Sequence, residues 1–159
     1  MYHYHGFPYL NKSKWVQVKG QPAADGSFTA LEITVAADED EKFIRLQGVI
    51  QSINLQASMI YLSNIAVKVD ASEKIHLRDG THRSADELAI GDVLRIDGRY
   101  DSQGVLIPER LSLQKKLDFN LDKLFGCIET VNEEQKSFQM FGVPIAVSSD
   151  TSIELTEQL

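Results

Sequence analysis

The sequence predicts an all-β protein, and three observations support this fold class. Apolar and polar residues alternate over short stretches such as WVQVKG at 15–20, which is the pattern of a half-buried strand. Turn-forming pairs such as Asp25–Gly26 separate these stretches, as they do in β-hairpins. Glycines, turn residues and apolar positions also recur when each residue is placed over the one 78 positions later. A constant offset of this kind indicates an internal repeat.

The repeat divides nearly the whole chain into corresponding parts. Two polar linkers, 36–42 and 114–120, fall on each other at this offset. Identical pairs include Gly20/Gly98, Gly26/Gly104, Leu46/Leu124, Gly48/Gly126, Ile50/Ile128 and Asn54/Asn132. The offset predicts an irregular segment over 1–14, a complete central unit over 43–113, and a second unit formed by 15–36 together with 122–155.

Each half of the second unit, taken alone, has an unpaired sheet edge, which natural proteins avoid. We therefore expect 15–36 to pair with 122–155 within one chain, so that each half covers the edge of the other. The same edges are covered when the halves pair between two molecules. A monomer and a swapped dimer are thus both compatible with the sequence.

Strands are expected wherever an apolar alternation runs between turn residues. Asn64 and Gly142 occupy corresponding positions between two apolar runs. Both residue types tolerate a positive φ angle, so a tight turn is expected at each. The predicted strands are 15–21, 27–35, 43–55, 58–63, 65–70, 92–100, 105–113, 122–132, 136–141 and 143–148, with further short strands near 74–77 and 152–155.

One short helix is predicted near 85–89. Ser84 and Glu87 have the spacing of a capping box, in which the serine caps the helix and the glutamate reaches back to it. The following Gly91–Asp92 ends the helix after a turn or two. Short strands, hairpin turns and one short helix in a unit of about 70 residues fit a partly open OB-like barrel. The chain is therefore predicted to contain two tandem OB-like small β-barrels.

Two segments resemble a bacterial family of unknown function. They are GVIQSINLQASMIYLSNIAVKVDASEKI at 48–75 and SADELAIGDVLRIDGRYDSQGVLIPERLSL at 84–113. The resemblance covers 47–113 well, and 15–35 and 126–153 as halves. It implies a fold of OB-like barrel repeats. The shared motifs are turns, glycines and core positions, so the resemblance implies no catalytic residues. Members of the family are often exported or tethered to the envelope.

Composition excludes several classes of protein. The 159 residues carry a net charge of −7 and a single cysteine, Cys127, so neither an intramolecular disulfide nor a multi-cysteine metal site is expected. No apolar run is long enough to predict a membrane span. The first residues lack the pattern of a signal peptide, although a chain whose signal had been removed would look the same. The compartment, bacterial cytoplasm or envelope, therefore stays open.

One cluster of basic residues is a candidate ligand site. It surrounds the Asp79–Gly80 turn and consists of Lys74, His76, Arg78, His82 and Arg83. OB-type barrels bind oligonucleotides and sugars through such loops and an adjoining sheet face, with aromatic rings that stack on the ligand. Tyr61 and Tyr100 are the candidate stacking residues. A solvated loop, with its charges offset by nearby acids, would have the same sequence.

Metal binding and catalysis have weaker sequence support. His3 and His5 would face the same side of an extended strand, an arrangement that suits zinc or copper if a third ligand converges. No nucleophile motif surrounds any serine, and no cysteine–histidine pair is close in sequence. We therefore expect no enzyme and no cofactor.

The leading hypothesis is a non-enzymatic binding or scaffolding module for a protein partner or a polysaccharide. A single-stranded nucleic-acid binder of OB type is the first alternative. It is disfavoured by the acidic balance, and it requires the 74–83 cluster to extend across a sheet beside stacked aromatics. A metal-binding protein that uses His3 and His5 is the second alternative.

Overall fold

The computed structural model describes residues 7, 10–12, 14–36, 43–102, 106–115 and 120–155. These residues form an all-β protein. The strands are β1 (Trp15–Pro22), β2 (Phe28–Val35), β3 (Ile44–Asn54), β4 (Met59–Leu62), β5 (Ile65–Lys68), β6 (Lys74–His76), β7 (His82–Ser84), β8 (Val93–Tyr100), β9 (Leu106–Gln114), β10 (Asp122–Cys127), β11 (Thr130–Asn132), β12 (Ser137–Met140), β13 (Val143–Ala146) and β14 (Ser152–Leu155).

The alternation in sequence becomes an alternation in burial. In β1 the buried residues Val16 and Val18 alternate with the half-buried Gln17 and Lys19, because successive side chains of a strand point to opposite faces. The same pattern runs through β3, β8 and β10. The inward residues form one apolar core, whose largest fully buried side chains include Phe28, Phe138, Leu46, Ile50, Ile60 and Leu94.

The strands belong to one sheet with the order β11-β12-β13-β2-β1-β10-β3-β8-β9-β6-β7. As described, this sheet is open. Strand β4 pairs with β3 and β5, and β14 pairs with β2. Among the described residues, no helix is long and apolar enough to span a bilayer.

The N-terminal hairpin, β1 and β2, pairs with C-terminal strands of its own chain. Strand β1 runs antiparallel to β10, from Trp15 opposite Cys127 to Gly20 opposite Asp122. Strand β2 runs parallel to β14, with Ile33 opposite Ile153, and also pairs with β13. Both edges of the hairpin are therefore hydrogen-bonded.

The middle of the sheet is the contact between β3 and β10, which we call the junction. Leu46 lies directly opposite Leu124, and neither side chain is exposed to solvent. On either side, Gln47 faces Lys123 and Arg45 faces Phe125. The junction therefore joins the central strands, β3 to β9, to the strands from the two ends of the chain through backbone hydrogen bonds and two buried leucines.

Two of the recurring glycines lie at bulges between paired strands. The register of β1 against β2 shifts between Lys19 and Gly20, and that of β8 against β9 shifts between Asp97 and Gly98. A Cβ atom at Gly20 would fall on the carbonyl oxygen of Thr29, and one at Gly98 would fall on that of Ile107. Glycine is required here because the neighbouring strand approaches too closely for any side chain.

The predicted tight turns are confirmed, with a positive φ at Ser63 and Asn64 (55° and 62°) and at Phe141 and Gly142 (54° and 74°). The single strand predicted over 122–132 is wrong. It divides into β10 and β11 because the chain changes partner: the amide of Ile128 still donates to the carbonyl of Lys14, in line with β1, whereas the amide of Glu129 donates to the carbonyl of Gln139 on β12. Strand β7 was not predicted.

The helix predicted near 85–89 is also wrong, because the segment forms a single 3₁₀ turn at Ala85–Glu87. The amide of Ser84 does donate to the carboxylate of Glu87 at 3.0 Å. Leu88, however, is already extended, with φ −72° and ψ 149°. The predicted cap therefore holds one turn, and no α-helix follows it.

We predict that Gly20→Ala and Gly98→Ala will each destabilise the protein by about 1 to 3 kcal/mol, because the added methyl group displaces a carbonyl group of the neighbouring strand. Urea unfolding measures this change. Ser52→Ala, at an exposed position of β3, is the control and should stay within about 0.5 kcal/mol of the parent. Wild-type stability in either glycine variant would contradict the assignment of these contacts.

Removal of residues 1–36 should leave β10 with one unpaired edge and remove the partner of β13 and β14. We expect the truncated chain to self-associate or to unfold at a clearly lower temperature, because open strand edges pair with other chains. Light scattering and thermal unfolding of both chains test this. A truncated chain that stays monomeric with an unchanged melting temperature would show that the hairpin is dispensable.

Candidate ligand-binding face

The outward side of the sheet is continuous across the junction. Cross-strand registers align its residues in two rows. The first row is Ser152, Glu32, Lys19, Lys123, Gln47, Arg95, Ser112, His76 and His82. The second row is Glu154, Thr34, Gln17, Phe125, Arg45, Asp97 and Arg110. We call these two rows the central sheet face.

Charge is unevenly distributed along this face. Two of its carboxylates, Glu32 and Glu154, stand at the β2–β14 end. From β1 to β9 the rows hold one carboxylate, Asp97, and five cations: Lys19, Lys123, Arg95, Arg45 and Arg110. The middle of the face is therefore positive, in a chain whose net charge is −7.

Asp97 fixes two of the guanidinium groups. Its Oδ1 accepts a hydrogen bond from Arg45 Nε at 2.7 Å, and its Oδ2 accepts one from Arg95 Nε at 3.1 Å. One carboxylate between two guanidinium groups leaves a local net charge of +1. It also holds two long side chains in place, which lowers the entropy they lose on binding a ligand.

Aromatic rings lie among these cations. A groove of about 500 Å³ crosses the junction. It is lined by Gln17, Phe43, Arg45, Gln47, Arg95, Lys123 and Phe125. Phe43 is 56% exposed, and the ring of Phe125 lies 5.6 Å from that of Trp15. The groove thus offers flat apolar surfaces and positive charges within one depression.

The predicted basic cluster lies at the far end of this face. Lys74, His76, His82 and Arg83 belong to the β6–β7 hairpin, and Arg78 is in its exposed turn. His76 and His82 continue the first row, with ring centroids 5.1 Å apart. Partial desolvation, followed by the charges of Arg110, His82 and Lys74, lowers the pKa of His76. Arg83 is opposite Ile75, at an alternate position outside the rows.

The two predicted stacking tyrosines are elsewhere. Tyr61 is 38% exposed on β4, between strands β3 and β5. Tyr100 packs against Phe141 at 5.9 Å and Trp15 at 6.1 Å, and its hydroxyl accepts a hydrogen bond from the amide of Cys127. Burial raises the pKa of Tyr100 to about 12. The phenol of Tyr100 is therefore a neutral packing group at the mouth of a second, smaller groove.

A buried polar contact lies behind the junction. Ser63 Oγ donates to Asp122 Oδ2 at 2.6 Å, and both side chains are almost fully buried. They occupy the space left by the missing side chain of Gly48. Burial raises the pKa of Asp122 to about 6, although the hydrogen bonds from Ser63 and from the amide of Val49 oppose the rise.

The turn next to this contact ties two hairpins together. The side-chain amide of Asn64 donates to the carbonyls of Ala23 and Ser27, at 2.9 and 2.8 Å. These carbonyls belong to the β1–β2 turn. Asn64 also exchanges hydrogen bonds with the side chain of Gln51. The β4–β5 turn therefore positions the N-terminal hairpin against the rest of the sheet.

Metal coordination has no support within the described ranges, where no three His, Cys, Asp or Glu side chains cluster in a way that could hold an ion. His3 and His5 lie outside the described residues, so the metal hypothesis stays a prediction. Cys127 is half-buried at the end of β10.

Sequence reasoning missed the central sheet face, because its cations are dispersed over five strands and form no run. A signal was present nevertheless. Arg45 and Lys123 are both basic and lie 78 positions apart, and both occupy outward positions of strands. This one pair of recurring basic residues at outward positions was the signal that the sequence offered.

The fold and this face define a class, an all-β protein with an open, basic and partly aromatic sheet surface. The family model for a domain of unknown function, DUF5666, matches residues 4–34 and 47–111, which together exceed half of the chain. The chain belongs to this family, in agreement with the resemblance found in the sequence. No curated protein and no solved structure matches the chain.

We predict that Asp122→Asn will stabilise the protein above pH 6 and have little effect near pH 4. The raised pKa means that the folded state favours the neutral carboxyl group, so stability falls as the pH rises from about 4 to about 6. The amide cannot ionise, so this loss, on the order of 2 to 3 kcal/mol, disappears. Urea unfolding at pH 4.5 and 7.5 measures it.

Two variants complete this test. Ser63→Ala removes a donor to the carboxylate and so raises the pKa of Asp122 further. The free energy of unfolding of this variant should therefore fall by more than that of the parent between pH 4.5 and 7.5. Asp150→Asn, at an exposed turn, should leave the pH dependence unchanged. An Asp122→Asn variant with the same pH dependence as the parent would show that Asp122 titrates normally.

Proposed function

We propose that this chain is a non-enzymatic binding module, made of two OB-like small β-barrels related by an internal duplication, that holds an extended anionic ligand on its central sheet face. The continuous positive stretch from β1 to β9 is the observation that carries this proposal. An acidic protein partner, an acidic polysaccharide and the single-stranded nucleic acid of the first alternative all belong to this class of ligand.

The positions of the strands support the duplication. Six strands, β1 to β6, each begin 78 residues before a second strand: β8, β9, β10, β12, β13 and β14 in turn. The register at the junction supports it as well. Leu46 faces its own counterpart, Leu124. Arg45 faces Phe125, the counterpart of Gln47, and Gln47 faces Lys123, the counterpart of Arg45. Such a register is expected when two copies of one unit meet across a twofold axis.

The strand order supports two barrels. The path β11-β12-β13-β2-β1-β10 begins at β11 and ends at β10. These two strands are consecutive in the chain, with only residues 128 and 129 between them. In the central unit, β3 pairs with β8 through 44–49 and with β4 through 50–54, and β5 contacts β9. Each path thus returns near its start, as in a partly open barrel.

A binding role fits the chemistry better than catalysis does. Asp122 and Ser63 form a carboxylate–hydroxyl pair, but both side chains are nearly inaccessible to solvent, so a substrate cannot reach them. The central sheet face, in contrast, is open and holds its charged groups on rigid strands. Rigid strands present cations at fixed spacing, which favours a ligand with regularly spaced anions.

We expect the full chain to be retained on immobilised heparin, used as a generic linear polyanion, and to elute with salt. Arg45→Glu combined with Lys123→Glu should elute at much lower salt, because two cations of the face become acids. The matched control, Lys68→Glu with Lys136→Glu, makes the same charge change at exposed positions outside the rows and should elute close to the parent. Equal elution of the two double variants would refute the assigned face.

A further inference from the structure

We propose that the anionic ligand of the central sheet face is single-stranded nucleic acid, whose phosphates lie along the cations and whose bases stack on Phe43 and Phe125. This inference rests on the proposed function and names the ligand. Proteins that bind single strands combine a positive groove that follows the backbone with rings that receive the bases.

The groove at the junction holds both parts of such a site. Phe125 lies between Gln17 and Arg45 in the second row, and Lys123 lies two residues before it on the same strand, in the first row. A base on the ring of Phe125 would therefore have Arg45 and Lys123 close to it for its flanking phosphates. The amides of Gln17 and Gln47 line the same groove and can hydrogen-bond the edge of a base.

Phe43 distinguishes this ligand from a polymer that is merely acidic. It is the most exposed phenylalanine among the described residues, at 56%, and it lines the groove. A polymer that is held through its charges alone makes no use of this ring. A flat base stacked on it gains about 1 to 3 kcal/mol. The rings therefore favour bases, and unpaired ones, because a duplex keeps its bases stacked inside.

The dimensions of the face suit a strand of several nucleotides. Neighbouring β-strands are about 4.8 Å apart, so the first row from Lys19 to His82, over seven strands, spans roughly 29 Å. OB-type barrels bind about 4 to 16 nucleotides each. The carboxylates of Glu32 and Glu154 stand at one end of the face, where they would repel phosphates and terminate the site.

The net charge of −7 does not oppose a local site of this kind. Binding through phosphates depends on the cations that meet them, and each contact contributes about −0.7 to the slope of log K against log salt for single strands. Asp97 already bridges Arg45 and Arg95, and Glu32 pairs with Lys19 at 3.9 Å, so the five cations predict a slope no steeper than about −3.5. The acidic remainder of the chain weakens binding elsewhere, which favours a single defined path for the ligand.

The test uses the full chain and a fluorescently labelled twelve-nucleotide oligo(dT), with binding followed by anisotropy at low salt. We expect saturable binding that weakens about fivefold or more in Phe43→Ala and in Phe125→Ala, which matches the loss of one stacked base. The control Ile90→Ala removes an apolar side chain that is 67% exposed and outside the groove, and it should bind like the parent.

Trp15 provides a second readout from the binding site. It is the single tryptophan of the chain and lies against Phe125, so its emission should change when the oligonucleotide binds. Thermal unfolding of each variant checks folding. If Phe125→Ala is misfolded, Phe43→Ala remains decisive, because an exposed ring contributes little to the core.

The outcomes separate this inference from the proposed function. Retention on heparin that depends on Arg45 and Lys123, together with no binding of oligo(dT), would overturn the inference and leave the proposed function standing. Oligo(dT) binding that both phenylalanine variants retain in full, or equal binding of a duplex of the same length, would also overturn it. Failure to bind either heparin or oligo(dT) would overturn both proposals.

Discussion

The pairing of open strand edges is the constraint on which the rest of this structure depends. A strand with free N–H and C=O groups either finds a partner or recruits another chain. Here β1 lies between β2 and β10, and β14 adds to β2 on its other side. The buried hydroxyl of Thr151 reinforces this closure, because it donates to the carbonyl of Ala30 at 2.7 Å across 121 residues of sequence. Two distant halves of the chain are thereby joined into one sheet.

The same pairing creates the candidate ligand face. If β1 and β10 were not adjacent, Lys19 and Lys123 would lie on separate surfaces. If β10 did not pair with β3, the groove between Phe125 and Arg45 would not exist. The face therefore belongs to the assembled sheet, and neither half of the chain holds it alone. Its charge is segregated in space, while the acids and bases that produce it are dispersed along the sequence.

Much of the fold could be predicted from the sequence, because the relevant signals are local. Alternation located β1 and β2, and Asn64 and Gly142 marked the β4–β5 and β12–β13 turns, since positive φ angles restrict the residues allowed there. The split of β10 from β11 could not be predicted in this way. It depends on where pairing with β1, which is about a hundred residues away in sequence, gives way to pairing with β12. The length of the helical segment after Ser84 could not be predicted for a similar reason. A capping signal fixes where such a segment begins, and tertiary packing decides where it ends.

The candidate site was less accessible to sequence reasoning than the fold. Lys74, His76 and His82 attracted attention because they are neighbours in sequence, and the structure places His76 and His82 at one end of a much longer row. The middle of that row comes from β1, β10, β3 and β8, and its order depends on pairing between strands far apart in sequence. Net charge is a coarse guide for a related reason: the value of −7 averages over surfaces that a ligand meets separately.

The position of β1 also has a consequence for how the chain is made. During synthesis the hairpin of β1 and β2 leaves the ribosome before β10 and β14, which cover its two sides, are made. Contacts between such distant segments form slowly, because a long loop must close first. Until then, the nascent chain exposes a strand pair rich in valine and isoleucine to its neighbours. Folding yield in the cell should therefore depend on protection of this hairpin during translation.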